Sequence, residues 1–195
     1  MQLHLLEEDP ATLLAGVVRE CERCQACYLH ALRRRPLCGR VSSEGLDIAA
    51  CEVMFIGEAP TQEDEDAGEV FSGFDRVLLD RLAAAMSLDR YFVTNVVACS
   101  LGDHNAPSVD ALSACRHFVK RQVDLVKPRV IVALGLSAGQ ALSSSRVTLE
   151  ALRGKWFSAF GVPVRVTHHP TRVRATPLLK IAMWEDMQAV MERLA

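Results

Sequence analysis

Hydrophobic and polar positions follow one another along the chain in blocks of two kinds. Short apolar runs rich in Val, Ile, Phe and Met cover residues 51–57, 91–97, 129–135 and 162–167. Runs of this length, bounded by turn residues, are typical of buried strands. Apolar residues recur with helical spacing over residues 76–86, 108–126, 136–143 and 178–194. The pattern therefore predicts strands and helices in alternation.

Alternating strands and helices without a long linker favour one α/β domain. We expect a three-layer αβα arrangement, in which helices cover both faces of a central four-stranded parallel sheet. The single domain is predicted to span residues 1–195, with a preceding cysteine-bearing helix over residues 10–32. A chain of 195 residues, 50% of them hydrophobic, is long enough to bury a sizeable core.

Composition and charge restrict the location and the partners. No run approaches the roughly 20 apolar residues that span a bilayer, and residues 1–10 carry three acids and no Lys or Arg, unlike a signal peptide. We therefore expect a cytoplasmic protein without membrane contact, and we take it to be a monomer.

The net charge of −2 means that nucleic-acid binding would need local clusters of basic residues. Arginines cluster at Arg33, Arg34, Arg35 and Arg40, and at Arg165, Arg172 and Arg174, although such clusters can also be ordinary solvated surface.

The first apolar run ends in a turn crowded with carboxylates. Gly57, Glu58, Ala59 and Pro60 end this run, and four acids occupy residues 63–66. In an open α/β sheet, ligands bind outside the carboxyl ends of the strands. Glu58 is therefore a candidate catalytic residue, whereas the acidic run alone could equally be a solvated loop.

Two further strand ends carry side chains suited to chemistry. His168 and His169 follow the fourth run, and since neighbours on an extended chain point to opposite sides, one of them is expected to face a site. Such a histidine could be an acid, a base or a hydrogen-bond donor to a developing anion, or it could simply pack. Asn95 in the second run offers an amide that can read a base edge with two hydrogen bonds.

Seven cysteines in a chain expected to be cytoplasmic argue against disulfides and for thiolate ligation or burial. Cys21, Cys24 and Cys27 form two overlapping C-x-x-C pairs, and fifteen residues separate Cys99 from Cys115. Four thiolates from two distant segments can hold zinc or an iron-sulfur cluster. Cys99 and Cys115 could instead be small core residues.

In their order along the chain, these landmarks resemble the uracil-DNA glycosylase superfamily, most closely its iron-sulfur family 4. The matching motifs are the C-x-x-C-x-L segment from Cys24, the turn at Gly57, Phe71-Ser72-Gly73, Thr94-Asn95 with Cys99 beyond, and His169-Pro170. The resemblance covers nearly the whole chain. It implies a 4Fe-4S cluster on Cys24, Cys27, Cys99 and Cys115, with Cys21 as an alternative ligand.

The resemblance also implies a monofunctional DNA glycosylase that hydrolyses the N-glycosidic bond of uracil, or of a related modified pyrimidine, for base excision. The catalytic residues it implies are Glu58, Asp64 and His169. The substrate-binding residues it implies are Gly57, Ala59, Thr61, Phe71, Asn95 and Arg172. Phe71 would stack on the base, Asn95 would read its polar edge, and His169 would stabilise the leaving anion.

The chain departs from the family pattern around the expected base pocket. Thr61 stands where the family has Gly, which narrows the space for backbone near the base or phosphate. Asp64 stands where the family commonly has Glu, and this shorter acid could admit a base larger than uracil. Residues 70–75 lack the usual P-F-V-G-x-A-G, and Thr-Arg-Val-Arg at residues 171–174 replaces an apolar A-Y-L-L wedge. Arginines in that wedge favour contact with phosphate or the minor groove over intercalation.

Two functions of other classes stay open on the sequence. His104 lies between the two later cysteines, in a loop where relatives that trap DNA covalently place a nucleophilic histidine within a basic insertion that is missing here. A protein of this fold could also bind DNA or a partner without catalysis. The presence of Glu58, Asn95 and His169 together favours the glycosylase.

Overall fold

Six strands form one sheet in the computed structural model, which describes residues 9–42, 47–48 and 51–195. Residues 1–8, 43–46 and 49–50, which the single-domain prediction included, lie outside the described residues. The sheet order is β1-β3-β2-β4-β6-β5. The strands are β1 Arg40–Val41, β2 Val53–Gly57, β3 Phe92–Asn95, β4 Val130–Leu134, β5 Trp156–Ala159 and β6 Val162–Thr167.

The predicted α/β class is confirmed, and the four predicted strands are the parallel centre of the sheet, where β2 pairs with β3 and β4, and β4 pairs with β6. The prediction of a purely parallel four-stranded sheet is corrected by two antiparallel edge strands, β1 on β3 and β5 on β6. β1 has two residues, which is too short for any periodicity. β5 joins β6 through Phe160 and Gly161, whose φ angles of 52° and 81° suit a tight hairpin without the usual Asn-Gly signal.

Helices cover both faces of the sheet because successive strand residues point to opposite sides. Phe55 of β2 packs with α3 and α8, whereas its neighbours Met54 and Ile56 pack with α4 and α5. The helices are α1 Pro10–Arg23, α2 Gln62–Ala67, α3 Gly73–Ala85, α4 Val109–Val126, α5 Leu136–Ser143, α6 Leu149–Leu152, α7 Pro170–Ala175 and α8 Leu179–Leu194. None of the helices in the described part of the chain has the length and apolar character needed to cross a membrane.

The cysteine-bearing helix predicted over residues 10–32 is shorter than expected. α1 ends at Arg23, Cys24 has extended backbone, and a separate 3-10 turn covers Tyr28–Ala31. Asp9 caps the start of α1, where Pro10 takes the first helical position. α1 packs against α4, and this contact brings the N-terminal cysteines towards Cys115 of α4.

Candidate active site

The carboxyl ends of β2 and β3 bring three of the predicted residues together. Gly57 and Asn95 are direct partners in the parallel ladder. A Cβ atom on Gly57 would lie closer than van der Waals contact both to the ring of Phe71 and to the Asn95 Oδ1 atom. Glycine is therefore the residue that lets Phe71 and Asn95 approach the end of β2 this closely.

The Asn95 side chain is buried, yet neither its Nδ2 nor its Oδ1 atom has a hydrogen-bond partner within the described residues. Leaving a buried polar group unpaired costs about 1–3 kcal/mol. Buried polar groups are nearly always satisfied, so an amide with both ends unpaired calls for an explanation. A ligand that offers one donor and one acceptor would satisfy both ends.

Phe71 is held in an unusual backbone conformation beside this amide. Its φ angle is 56°, in the left-handed region that non-glycine residues rarely adopt. Such strain clusters at functional sites. The Phe71 and His169 rings lie with centroids 5.9 Å apart and planes 30° apart, so both rings border the same space.

His169 caps α7 with its own ring. The Thr171 backbone N–H donates to His169 Nδ1 at 3.2 Å, so the neutral ring carries its proton on Nε2. Burial lowers the pKa of His169 to about 4, although the nearby Asp64 carboxylate acts in the opposite direction. Near pH 7 the ring is therefore a neutral Nε2–H donor. His168 instead lies near Arg153 and Asp186, as the alternation of side chains predicts.

Glu58 follows β2 and is half-buried. Burial raises the pKa of its carboxyl group, and a hydrogen bond donated by the Ser137 hydroxyl partly offsets this effect. A raised pKa makes a carboxylate a stronger base. Sequence reasoning did not single out Ser137, although its position just beyond β4, at a fourth strand end, was the available signal.

Asp64 holds neighbouring backbone in place. Its carboxylate accepts hydrogen bonds from Thr61 N at 2.8 Å and from Ser72 N and Oγ at 2.6 and 2.7 Å. Thr61 Oγ1 in turn accepts from Asp64 N at 3.1 Å, which completes a capping box at the start of α2. Both carboxylate oxygens of Asp64 therefore accept hydrogen bonds. Through Ser72, the carboxylate orients the segment that carries Phe71.

Five thiols line a small cavity beside this edge of the sheet, those of Cys21, Cys24, Cys27, Cys99 and Cys115. Arg33 donates to Cys99 Sγ at 3.1 Å and to the Cys24 carbonyl at 2.9 Å. Burial raises the pKa of Cys115 to about 12. Among the described residues, no three His, Cys, Asp or Glu side chains are arranged to hold a single metal ion.

Cys21 differs from the other four thiols because it has a thiol partner. It is buried on α1 and forms a hydrogen bond with Cys38, and this bond together with burial raises the pKa of Cys21. Ala59, in the turn after β2, packs against the apolar group that contains Cys99 and Cys115. The turn after β2 therefore adjoins the residues that carry two of the cavity's thiols.

Comparison with known proteins decides the family. Residues 46–188 match the Uracil DNA glycosylase superfamily. The chain belongs to this superfamily. A type-4 uracil-DNA glycosylase of Saccharolobus solfataricus is 29% identical over 96% of the chain and 88% of its own length. Those of Thermotoga maritima and Pyrobaculum aerophilum are 29% and 30% identical, over 90% and 85% of the chain and 92% and 87% of their own lengths.

Some of the arginines that the sequence offered for DNA contact make contacts inside this superfamily member, whereas Arg34, Arg35, Arg172 and Arg174 are exposed. Arg165 is buried and bonds to Asp186. Arg33 binds the thiol cavity, and Arg174 lies over the Phe74 ring at 5.8 Å. Arg172 is exposed on α7, and its backbone N–H donates to the His169 carbonyl at 2.9 Å. Arg172 and Arg174 are thus exposed on α7, the helix that His169 caps.

His104, the residue of the covalent-trap hypothesis, packs its ring edge-to-face against Tyr28. The two ring centroids are 5.3 Å apart. Tyr28 begins the 3-10 turn that follows Cys27. The geometry thus links His104 to the thiol cavity region of the superfamily fold, and it supplies no observation that favours a nucleophilic role.

Proposed function

We propose that the protein is a monofunctional DNA glycosylase that removes uracil from DNA for base excision. The observation that carries the proposal is the buried Asn95 amide, unpaired at both ends, beside the Phe71 ring and the neutral His169 imidazole. Membership of the superfamily and the names of the type-4 relatives support the same activity.

Base recognition would use Phe71 and Asn95. The enzyme must first flip the nucleotide out of the helix, at a cost of a few kcal/mol, and hold the base by stacking and by contacts to its polar edge. Uracil presents one N–H donor beside a carbonyl acceptor on that edge. The Asn95 amide offers the complementary acceptor and donor, while the Phe71 ring provides the stacking surface.

Cleavage of the glycosidic bond sends its electron pair to the departing base and leaves positive charge on the sugar. The His169 Nε2–H would donate a hydrogen bond to the base carbonyl oxygen on which that negative charge develops. Water then adds to the sugar carbon. Glu58, held by Ser137, would orient this water and take its proton, and its carboxylate would offset the charge on the sugar. The products are free base and an abasic site.

We propose that the thiol cavity holds a 4Fe-4S cluster, with Cys24, Cys27, Cys99 and Cys115 as its ligands. Such a cluster takes one thiolate at each iron, so its ligands spread around a larger centre than those of a single ion. The cavity has thiol donors from two distant segments, with an arginine N–H on Cys99. When bound, the cluster would tie the N-terminal segment to α4 and to the turn at Ala59. No step of hydrolysis needs it.

Thr61 and Asp64, the two residues that depart from the family pattern at the expected base pocket, hydrogen-bond to each other in the capping box. Uracil is therefore the first base to test. Labelled oligonucleotides that carry uracil, in single and double strands, should give an alkali-sensitive abasic product. A parallel panel of 5-substituted pyrimidines measures how wide the pocket is. If only a modified base is removed, that base and not uracil is the substrate. An SDS-resistant adduct would support the covalent trap through His104. Intact oligonucleotide with every substrate would contradict the proposal.

Replacing Asn95 by Leu should separate function from stability. Because the amide is unpaired and Leu has a similar shape, we expect the thermal midpoint to stay the same or to rise. Loss of both base contacts should lower the single-turnover rate of uracil excision by roughly 100-fold or more. The measurements are thermal unfolding and excision of uracil from a labelled oligonucleotide.

Gln122 provides the matched control for Asn95. It is equally buried, but its amide accepts from Gly39 N at 2.8 Å and donates to the Phe118 carbonyl at 3.1 Å. Gln122→Met should therefore cost about 1–3 kcal/mol of stability while the folded protein still excises uracil. A loss of stability in Asn95→Leu equal to that in Gln122→Met would show that the Asn95 amide is structural.

A further inference from the structure

Two segments that depart from the family pattern pack against each other. Asp75 on α3 stands where the motif has Ala, and Thr171 on α7 stands where the apolar wedge has Ala. Thr171 Oγ1 donates to Asp75 Oδ2 at 3.0 Å. Close by, the Arg174 guanidinium lies over the Phe74 ring. The residues that depart from the family pattern therefore form a contact between α3 and α7.

Thr171 makes two contacts of different kinds. Its hydroxyl donates to Asp75, and its backbone N–H donates to His169 Nδ1 at 3.2 Å. The second contact determines which nitrogen of the neutral imidazole carries the proton. Thr171 therefore connects the Asp75 carboxylate on α3 to the ring of His169.

The buried position of the Asp75 carboxylate costs free energy. Its Oδ1 atom is buried without a hydrogen-bond partner among the described residues. Burial raises the pKa of Asp75, while the Thr171 hydrogen bond and the Arg174 charge act in the opposite direction. An acid in the first turn of a helix usually stays solvated and favours the helix dipole. Asp75 instead directs one oxygen across to α7.

We propose, on the basis of the function proposed above, that Asp75 is a positioning residue which, through Thr171, holds the His169 imidazole in the tautomer and direction that the departing base requires. The group whose charge acts on His169 is Asp64. Asp75 therefore works through its hydrogen bond, so an uncharged acceptor at position 75 should largely replace it.

Single-turnover excision at saturating uracil-containing DNA tests the proposal. Asp75→Ala and Thr171→Val, which keeps the backbone N–H, should each slow excision by about 10-fold, because small misplacements of a catalytic group are costly. Asp75→Asn keeps an acceptor oxygen and should stay within about 3-fold of wild type. The double variant Asp75→Ala/Thr171→Val should be no slower than either single variant. Affinity for abasic product DNA should change by less than about 2-fold in all of them.

Asp124 offers a matched control, because it also accepts one side-chain hydrogen bond, from Lys120 on the surface of α4. Asp124→Ala should excise uracil at the wild-type rate. Wild-type rates in Asp75→Ala, an equally slow Asp75→Asn, or additive losses in the double variant would each overturn the positioning role.

Nitrogen NMR of the His169 ring in DNA-free protein provides a readout that needs no substrate. The wild type should show the Nε2–H tautomer, whereas Asp75→Ala and Thr171→Val should show a mixture of tautomers. Unchanged ring signals in both variants would overturn the inference. If the wild type cleaves no uracil but the ring signals shift as expected, the proposed function fails while the Asp75–Thr171–His169 connection stands.

Discussion

His169→Ala should lower the single-turnover rate of uracil excision by roughly 100-fold or more, the usual loss when one donor to a developing anion is removed. The structure supports this because Thr171 N–H occupies Nδ1 and leaves the proton on Nε2. Affinity for product DNA should change little, since the interaction is made mainly in the transition state. Excision is measured at saturating enzyme.

His168→Ala is the natural control, because the two histidines are adjacent and only His169 borders Phe71. His168 lies near Arg153 and Asp186, so its replacement should leave the excision rate close to that of wild type. Equal losses in both variants would show that the local backbone, and not the His169 ring, carries the effect.

The pH dependence of stability follows from the same ring. The pKa of His169 is about 4 in the folded protein, below the ordinary value of 6.5. Folding therefore favours the neutral ring, so this contribution to stability is complete above about pH 6.5 and is lost as the pH falls through 4. Relative to His169→Ala, the wild type should lose thermal stability over this range. A constant difference between the two unfolding midpoints from pH 7 to pH 4 would contradict the lowered pKa.

The sequence predicted the centre of the fold well because buried strands are strongly apolar. All four central strands were found, and α5 was predicted with the bounds it has in the structure. α2 was missed because six largely charged residues carry no apolar periodicity, although Thr61 and Asp64 have the spacing of a capping box. The edge strands β1 and β5 were missed because they are defined by pairing with β3 and β6, and not by an apolar pattern in their own residues.

The convergence of Gly57, Asn95 and His169 was also predictable, since the carboxyl ends of parallel strands meet at one edge. The role of each side chain was less predictable. Asp64 was expected in catalysis, yet its contacts with Thr61 and Ser72 depend on how α2 folds back. The contact between Asp75 and Thr171 joins residues 96 positions apart, and no local pattern indicates such a pair.

The thiols show the same division between pattern and packing. Spacing left Cys21 as a rival to Cys24 and Cys27, because both C-x-x-C pairs have the same form. In the structure Cys21 also lines the cavity, but its thiol is paired with Cys38. We therefore expect Cys21→Ser to retain iron, with Cys24 and Cys27 as the ligands from this segment.

Cys115→Ser should abolish the cluster. The wild type, purified without oxygen, is expected to be brown with about four irons per chain. Cys115 is 4% exposed on α4, and burial raises its pKa to about 12, so its thiol would ionise only beside strong positive charge such as bound iron. Losing this ligand should remove iron and sulfide, and it should lower the thermal midpoint because metal binding and folding are coupled. Iron, sulfide and unfolding are measured on the same preparation.

Cys51→Ser separates this effect from ordinary damage to the core. Cys51 is 1% exposed and packs near the start of β2 with Met54 and Ile131, away from the thiol cavity. The same substitution there should cost some stability but leave the iron content of the wild type unchanged. Full iron in Cys115→Ser, or stoichiometric zinc without sulfide in the wild type, would contradict the proposed cluster. Loss of iron from Cys115→Ser but not from Cys51→Ser would support a cluster that joins the segment of Cys24 and Cys27, just after α1, to α4, because Cys115 is the thiol that α4 contributes to the cavity.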